Sequence, residues 1–466
     1  MSEKEIKNND KVEEIMEVEK EDDNRMGYEP VKKLLITLSI PLMVSNLVQA
    51  LYNIVDSFFV AKINEDALTA VTAAFPVQML IIAFAIGTSI GMSALLSRFL
   101  GAGMYEKVNK VAHNGLLLAF VNYAIFFGVG FLAGPFMRMQ TDNPRIIEYG
   151  TTYLSYVCWL SIGVMIQITF ERMLQGTGKT KYVFFCQGVG AVINMIMDPI
   201  LIFGLLGFPA MGIKGAACAT IFGQVVGAAM AIFFNIKKNK EIRLRLASLK
   251  PDLHMIKEIY RIGIPSIIMQ SVGSVMNFAL NKILFSFSST AVATFGAYFK
   301  LQSFIFMPIF GLNSGVVPIA AYNYGARKRE RLEEVMSISA KYAIAIMSVG
   351  TLIFWAFPDQ LISIFSASPE MISIGRVALR VIAINFPFAG YCIMRGAIYQ
   401  ALGKSVYSMN ISIARQLVVL LPCAYLLSLT GNVNMVWWAF PIAEIVGTGV
   451  SIMYTKRIRK KIISRI

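Results

Sequence analysis

Long runs of apolar residues, separated by short polar stretches, fill the chain from residue 34 to residue 455. A helix needs about 20 predominantly apolar residues to cross the hydrocarbon core of a bilayer. The segments of sufficient length are 34–61, 68–97, 111–136, 151–170, 183–206, 215–236, 262–287, 293–321, 336–357, 373–394, 407–428 and 435–455. This pattern predicts an all-α polytopic membrane protein with twelve transmembrane helices.

Composition agrees with this prediction and excludes several classes of function. Of the 466 residues, 56% are hydrophobic and 15% are charged, whereas soluble domains carry about a quarter charged residues. The five cysteines are scattered and only two histidines occur, which predicts neither a disulfide framework nor a histidine-based metal centre. Without a GxxxxGK[ST] phosphate loop an ATP-driven pump is excluded, and without a GxGD context an intramembrane aspartyl protease is disfavoured. We expect no enzymatic activity.

The positions of lysine and arginine predict the orientation of the helices. With the N-terminus placed inside, 34 of the 43 basic residues fall on cytoplasmic segments and six on outer segments, as the positive-inside rule requires. We therefore expect a multi-pass protein of the plasma (inner) membrane with both termini in the cytoplasm. The net charge of +15 then reflects topology and needs no nucleic-acid partner.

An internal repeat divides the chain into halves. When the second half is laid on the first in a single register, identical residues align, including Pro41/Pro265, Asn53/Asn277, Gln78/Gln302, Gly87/Gly311, Gly91/Gly315 and Gly101/Gly325. Each half holds six predicted helices, so we expect two lobes related by a pseudo-two-fold axis along the membrane normal. The predicted domains are a charged cytoplasmic tail (1–33), an N-lobe (34–236), a basic cytoplasmic linker (237–261), a C-lobe (262–455) and a basic cytoplasmic C-terminus (456–466).

Polar residues at membrane depth are concentrated in the N-lobe. Ionisable residues inside a membrane are costly and therefore functional by default. Asp56 follows Asn53 by three residues and Asp198 follows Asn194 by four, spacings that place each pair on one helix face. Thr220 lies at a similar depth in the sixth predicted helix, and nothing acidic in the second half aligns with either aspartate. These five residues form a candidate cation site.

Two chemistries suit such a site. Loss of water favours the protonated carboxyl group, so either aspartate could carry a proton. Alternatively, the carboxylates of Asp56 and Asp198, with an amide oxygen and a hydroxyl, could bind sodium. Pro199 cannot donate to the carbonyl of Met195 and should bend the helix there. The alternative role for Asp198 is structural, as the partner of a buried base or the cap of a helix break. We expect no cofactor besides the coupling ion.

The C-lobe has its own polar residues within predicted helices. Glu444 could pair with Lys282 or Lys300, and these three residues together with Asn277 are candidates for a substrate cavity. In the N-lobe, Glu171 and Arg172 are adjacent and predict a local ion pair.

Several motifs, taken in order, resemble multidrug and toxic compound extrusion (MATE) transporters, and in particular the bacterial, MepA-like branch. They are GAGMYEKV (101–108), QGTGKT (175–180), NMIMDP (194–199), MGIKGAACAT (211–220) and YGARKRERL (324–332). The resemblance implies antiport of organic, often cationic, compounds against protons or sodium. Matched by residue, the family's cation site falls on Asp56, Asn194, Asp198 and Thr220, and its helix-bending proline on Pro41.

This resemblance sets the expected function and partners. We expect a secondary active multidrug efflux transporter that works as a monomer, with small organic substrates and membrane lipid as its partners. The alternative is a lipid-linked oligosaccharide flippase of the same superfamily, whose central cavity would be cationic. Twelve helices and paired N-lobe acids favour the exporter.

Overall fold

The computed structural model describes residues 24–244, 250–365 and 367–466, and these residues form helices and connecting loops with no strand. The spans are α1 (Val31–Ala61), α2 (Glu65–Gly101), α3 (Tyr105–Gly130), α4 (Pro144–Trp159 and Ile162–Gly176), α5 (Thr180–Phe203), α6 (Ile213–Lys238), α7 (Leu253–Phe285), α8 (Ser289–Gly325), α9 (Arg329–Ala356), α10 (Pro369–Ala383 and Phe386–Ala401), α11 (Ser405–Ser428) and α12 (Ala439–Lys461). The prediction of twelve transmembrane helices is confirmed. The start of the predicted tail, 1–23, lies outside the described residues, and α1 begins at Val31, inside the predicted tail.

Two of the twelve spans are broken, which the apolar pattern did not reveal. The halves of α4 meet at 44° and those of α10 at 46°. The breaks, at Leu160 in α4 and Asn385 in α10, occupy equivalent places in the two repeats, since the register that lays QGTGKT on QALGKS also pairs these two residues. The predicted spans 151–170 and 373–394 are each shorter than the observed α4 and α10. Each half alone is too short to cross a bilayer, so the two halves together form one span.

Within α11 the helix widens into a π-helical segment, Ala414–Val419. Such segments are rare and occur often at functional sites. Arg415 lies in this segment, and its side chain reaches the cavity described below. Pro422, in the following turn, cannot donate a backbone hydrogen bond.

One end of the bundle holds both ends of the described chain and most of the basic residues. We call it the basic end. It includes the starts of α1, α3, α5, α7, α9 and α11 and the end of α12. The other end is called the opposite end.

Repeat-related glycines join the lobes near the basic end. A Cβ atom on Gly101 of α2 would lie 2.0 Å from the carbonyl oxygen of Tyr322 in α8, and one on Gly325 of α8 would lie 1.9 Å from that of Arg98 in α2. Arg98 aligns with Tyr322 in the internal repeat, so the two contacts are equivalent. Only glycine permits backbones to approach this closely.

Further from the basic end the same relation holds. A Cβ on Gly87 would lie 2.9 Å from the backbone nitrogen of Ile267 in α7, and one on Gly311 would lie 2.5 Å from that of Met43 in α1. Met43 and Ile267 also align in the internal repeat. The repeat predicted from sequence thus forms the contact surface between the lobes.

The apolar core follows this arrangement. The largest buried cluster runs through the C-lobe and continues into the basic half of the N-lobe, including Leu34, Leu96 and Val108. A separate cluster, built around Ala70, Phe126 and Leu154, fills the opposite half of the N-lobe. The lobes therefore share a core near the basic end and have separate cores near the opposite end.

Candidate functional site

The N-lobe site forms where α5 and α6 cross closely. A Cβ on Gly223 would lie 2.6 Å from the carbonyl oxygen of Gly190 and 3.1 Å from the Cβ of Asn194. This approach brings Asn194 to Thr220, and its Nδ2 donates a hydrogen bond of 3.3 Å to the Thr220 hydroxyl. Asp198 lies one turn beyond Asn194 and is completely buried.

Four buried acceptor oxygens of this site have no hydrogen-bond partner among the described residues. They are both carboxyl oxygens of Asp198, the Oδ1 of Asn194 and the Oδ1 of Asp56. A buried polar atom without a partner is energetically costly. A bound cation, or a proton on a carboxyl group, removes that cost. The arrangement thus has the chemistry of a cation site, although the described residues include no group of three His, Cys, Asp or Glu side chains placed to hold a metal ion.

Two tyrosines that sequence analysis did not select belong to the same site. Tyr52, one turn before Asp56 on α1, and Tyr153 of α4 both lie close enough to interact electrostatically with Asp56 and Asp198. Tyr153 accepts a hydrogen bond of 3.0 Å from Gln78 of α2. Two features of the sequence point to these tyrosines. Gln78 is one of the residues aligned by the internal repeat, and Tyr52 lies four residues before Asp56, on the same helix face.

The remaining predicted N-lobe residues are placed differently. The side chain of Asn53 is exposed, and its carbonyl oxygen accepts from the Ser57 hydroxyl. Pro41 and Pro199 both lie inside continuous helices, so the bending assigned to them remains a prediction.

A second feature is a central cavity of about 560 Å³ lined by both lobes. From the N-lobe, α1 contributes Asn46 and Gln49, α2 contributes Ser93 and α4 contributes Arg172. From the C-lobe come aromatic side chains, namely Phe295, Tyr298, Phe299, Phe306, Phe310 and Phe440. The volume is that of a site for a drug-sized molecule.

One of the four residues predicted for a substrate cavity belongs to the described lining of this one. Glu444 lines the cavity, but Asn277, Lys282 and Lys300 are absent from its described lining. Lys282 lies over the ring of Phe278, 5.5 Å from its centroid, and Lys300 lies 5.9 Å from that of Phe365.

The predicted partner of Glu444 was wrong. Its Oε1 accepts from the Nη1 of Arg415 at 2.5 Å, and Arg415 lies in the π-helical segment of α11.

The expected ion pair between Glu171 and Arg172 is likewise not formed. The carboxylate of Glu171 accepts from Gln167 at 2.9 Å and from Gln187 at 2.7 Å. Arg172 instead donates to the Oε1 of Gln175 at 2.9 Å. Neighbouring residues on a helix point about 100° apart, so these two side chains face different surroundings.

Comparison with known proteins decides the family. The MatE family model matches residues 41–200 and again residues 265–426. The chain belongs to the MatE family. The two matched segments of this MatE protein begin at Pro41 and Pro265, the first pair that the internal repeat had aligned.

Relatives with the same fold support this assignment. The chain is 25% identical to a FAD transporter of Shewanella oneidensis over 91% of its own length and 94% of that protein. It is also 25% identical to the multidrug export protein MepA of Staphylococcus haemolyticus, over 92% and 94% of the two chains. A multidrug resistance MATE family transporter solved in an outward-facing conformation superposes with a TM-score of 0.89 at 25% identity, covering 95% of this chain and 99% of that one. This MatE chain is therefore a multi-pass membrane protein of a family of transporters rather than enzymes.

Proposed function

We propose that this chain is a secondary active efflux transporter that exports organic compounds in exchange for protons or sodium ions. The observation that carries the proposal is the set of four unpartnered oxygens around Asp198 in the N-lobe. A site that must bind and release a cation in each cycle cannot be neutralised permanently by protein donors. A structural aspartate, by contrast, would be expected to have them.

The separation of this site from the central cavity supports antiport. Asp56 and Asp198 do not line the described cavity, so the ion and the substrate can occupy two different sites in the protein. Coupling then requires that each ligand favour a different state of the protein. The shared core near the basic end and the separate cores near the opposite end support a state closed at the basic end. We propose that this end faces the cytoplasm, and that the protein acts as a monomer.

The decisive experiment uses purified protein in liposomes with pH and sodium gradients imposed separately. Export of a fluorescent organic compound should depend on one of these gradients and proceed without ATP. Transport that continues with both gradients collapsed, or that requires ATP, would refute antiport. The same assay identifies the coupling ion, because each gradient is tested alone.

Export of a flavin-like compound is a second candidate, and the charge of the cavity favours it. Arg172 and Arg415 line the cavity with a single carboxylate, Glu444, among the described lining residues. A relative of similar coverage is a FAD transporter. The lipid-linked oligosaccharide flippase also calls for a cationic cavity, but the unpartnered N-lobe acids support an exporter.

A further inference from the structure

The charged side chains that line the central cavity do not balance. Its described lining contains Arg172, Arg415 and Glu444. Arg415 and Glu444 form an ion pair at 2.5 Å with side chains that are 16% and 7% exposed, so they neutralise each other. Arg172 remains, and its bond to Gln175 is with a neutral amide. One positive charge is left uncompensated within the described cavity wall.

The nearest carboxylate does not cancel that charge locally. Glu171 acts on Arg172 through space, but its oxygens accept from Gln167 and Gln187 and it does not line the cavity. None of the ion pairs among the described residues includes Arg172. An arginine placed in this way presents free donors suited to phosphate or carboxylate.

Aromatic side chains continue the cavity away from Arg172. Arg172 lies toward the basic end of the cavity. This follows because Gly176, one turn beyond it, packs against Ser93 in the basic half of α2, with 3.2 Å between the Cβ position of Gly176 and the Ser93 hydroxyl. Phe310 and Phe299 of α8, exposed by 51% and 41%, follow toward the opposite end. Exposed ring faces can stack on a flat aromatic ligand.

We propose that the cavity binds planar aromatic compounds that carry an anionic group, with the anion at Arg172 and the ring against the phenylalanines of α8. This inference rests on the proposed export function and specifies its substrate class. An organic cation gains nothing from Arg172, and the acid in the described lining, Glu444, is already paired.

A matched pair of ligands tests the proposal without any transport measurement. Riboflavin and riboflavin 5′-phosphate share one ring system and differ by a phosphate group, and quenching of flavin fluorescence reports binding to purified protein. The phosphorylated compound should bind at least about tenfold more tightly, since charge-assisted hydrogen bonds from a guanidinium to a phosphate are stronger than those to neutral groups. Arg172→Gln should abolish the difference, Arg172→Lys should retain part of it, and Lys282→Gln, outside the cavity, should leave it intact.

Equal affinity of the wild-type protein for the two flavins would overturn the proposal, as would an undiminished preference in Arg172→Gln. Tighter binding of ethidium than of riboflavin 5′-phosphate would assign the cavity to cations. Because binding is measured without gradients, failure here leaves antiport standing. Loss of gradient dependence with preserved flavin discrimination would refute antiport alone.

An independent observation concerns the segment that precedes α1. Residues 24–30, which we call the strap, cross between the lobes at the basic end. On the N-lobe side, the amide of Asn24 donates to the carbonyl oxygen of Thr177 at 3.0 Å and Arg25 donates to that of Gly178 at 2.5 Å. Asn24 also donates to Glu241 of the linker at 3.3 Å.

The C-lobe holds the same strap by its backbone. Asn323 and Arg331 donate to the carbonyl oxygen of Met26 at 3.0 and 3.2 Å. Lys328 donates to that of Gly27 at 2.9 Å, and Arg331 to that of Glu29 at 2.7 Å. The side chain of Met26 is completely buried between these contacts.

We propose that the strap stabilises the state in which the basic end is closed, and that the lobes must release it to separate there. Its bonds to the two lobes cannot all survive such a separation. Because the C-lobe donors bind backbone oxygens, the strap is recognised mainly by position and only partly by side-chain identity.

Spin labels on Met104 and Arg327, loop residues of the two lobes at the basic end, measure the opening as a distance distribution. Asn24→Ala combined with Arg25→Ala should raise the long-distance population several-fold, and Arg331→Gln should do so from the other lobe. Arg329→Ala, which removes only an exposed ion pair with Glu333, is the control. Distributions unchanged in both the Asn24/Arg25 double variant and Arg331→Gln would overturn the proposal, as would an equal change in the control.

Discussion

Asp198 combines complete burial with two carboxyl oxygens that accept no hydrogen bond from any described residue. Asp56, on α1, acts on it electrostatically from the same site. A buried charge needs either a partner or a proton. The N-lobe site therefore requires a bound cation. Loss of either carboxylate should impair ion coupling rather than folding.

Asp198→Asn keeps the size of the side chain but cannot carry the charge. We expect normal amounts of protein, normal substrate binding in detergent, and export reduced to background. Asp56→Asn should behave alike, and the double variant should be little worse than either, because residues that act as one unit are non-additive. Vesicle efflux and a binding titration check this. Normal export by Asp198→Asn would assign the residue a structural role.

Glu444→Gln removes the carboxylate that neutralises Arg415. Breaking a buried pair leaves an uncompensated charge and costs up to about 3–5 kcal/mol, so a lower protein level or lower melting temperature is expected. In the protein that folds, the second free arginine should strengthen binding of anionic compounds, while the gradient dependence of export stays intact. Asp359→Asn, which breaks an exposed pair with Arg376 at the surface, is the control. Loss of ion coupling in Glu444→Gln would place the cation site in the C-lobe and contradict its assignment to the N-lobe.

Sequence pattern located the N-lobe site because helix spacing is local information. Asn194 and Asp198 share a face by their spacing of four, and depth along the helices brought in Asp56 and Thr220. Partners across helices were not available in this way. Glu444 pairs with Arg415 rather than with a lysine, and this contact between two helices is not encoded in the residue spacing along either one.

At the scale of helices, Pro199 lies inside α5, directly after Asp198. It removes the backbone donor that would bond the carbonyl of Met195. Pro199→Ala should restore that bond and stiffen α5 while leaving both carboxylates in place. We expect slower export with unchanged ion affinity. Isothermal titration with the coupling ion and a time course of efflux separate the two effects, and loss of ion binding would contradict this role.

The glycines between the lobes give a second prediction for the helices. A Cβ on Gly91 would overlap the carbonyl oxygen of Ile259 in α7, and overpacking of this kind costs about 1–3 kcal/mol. Gly91→Ala should therefore destabilise the closed basic end and lengthen the distance between labels on Met104 and Arg327. Gly296→Ala in α8, where nothing lies within 4 Å of the Cβ position, is the matched control. Equal distributions in the two variants would show that the contact between Gly91 and Ile259 does not stabilise the closed basic end.

For the whole molecule, the internal repeat was the most informative sequence feature. It placed Gly101 and Gly325 in one register before any contact was known, and these residues approach Tyr322 and Arg98 reciprocally. The broken helices α4 and α10 escaped prediction, because a break at Leu160 or Asn385 leaves the apolar pattern unchanged. The strap escaped it too, since its bonds are made to carbonyl oxygens that every residue carries.

Orientation is the property of the whole molecule that the positive-inside rule predicts and that labelling can test. Asn64, Ser288 and Asn432 each cap a helix at the opposite end, whereas Met104 and Lys460 lie at the basic end. In a background without the five native cysteines, single cysteines at the first three positions should react with an impermeant thiol reagent added outside intact cells. Cysteines at Met104 and Lys460 should react only after the membrane is opened. The reverse pattern would place the basic end and the strap outside, and the proposed direction of export would then be wrong. Reaction of both sets from outside would instead refute this arrangement of spans, because an odd number of spans separates each position of the first set from each position of the second.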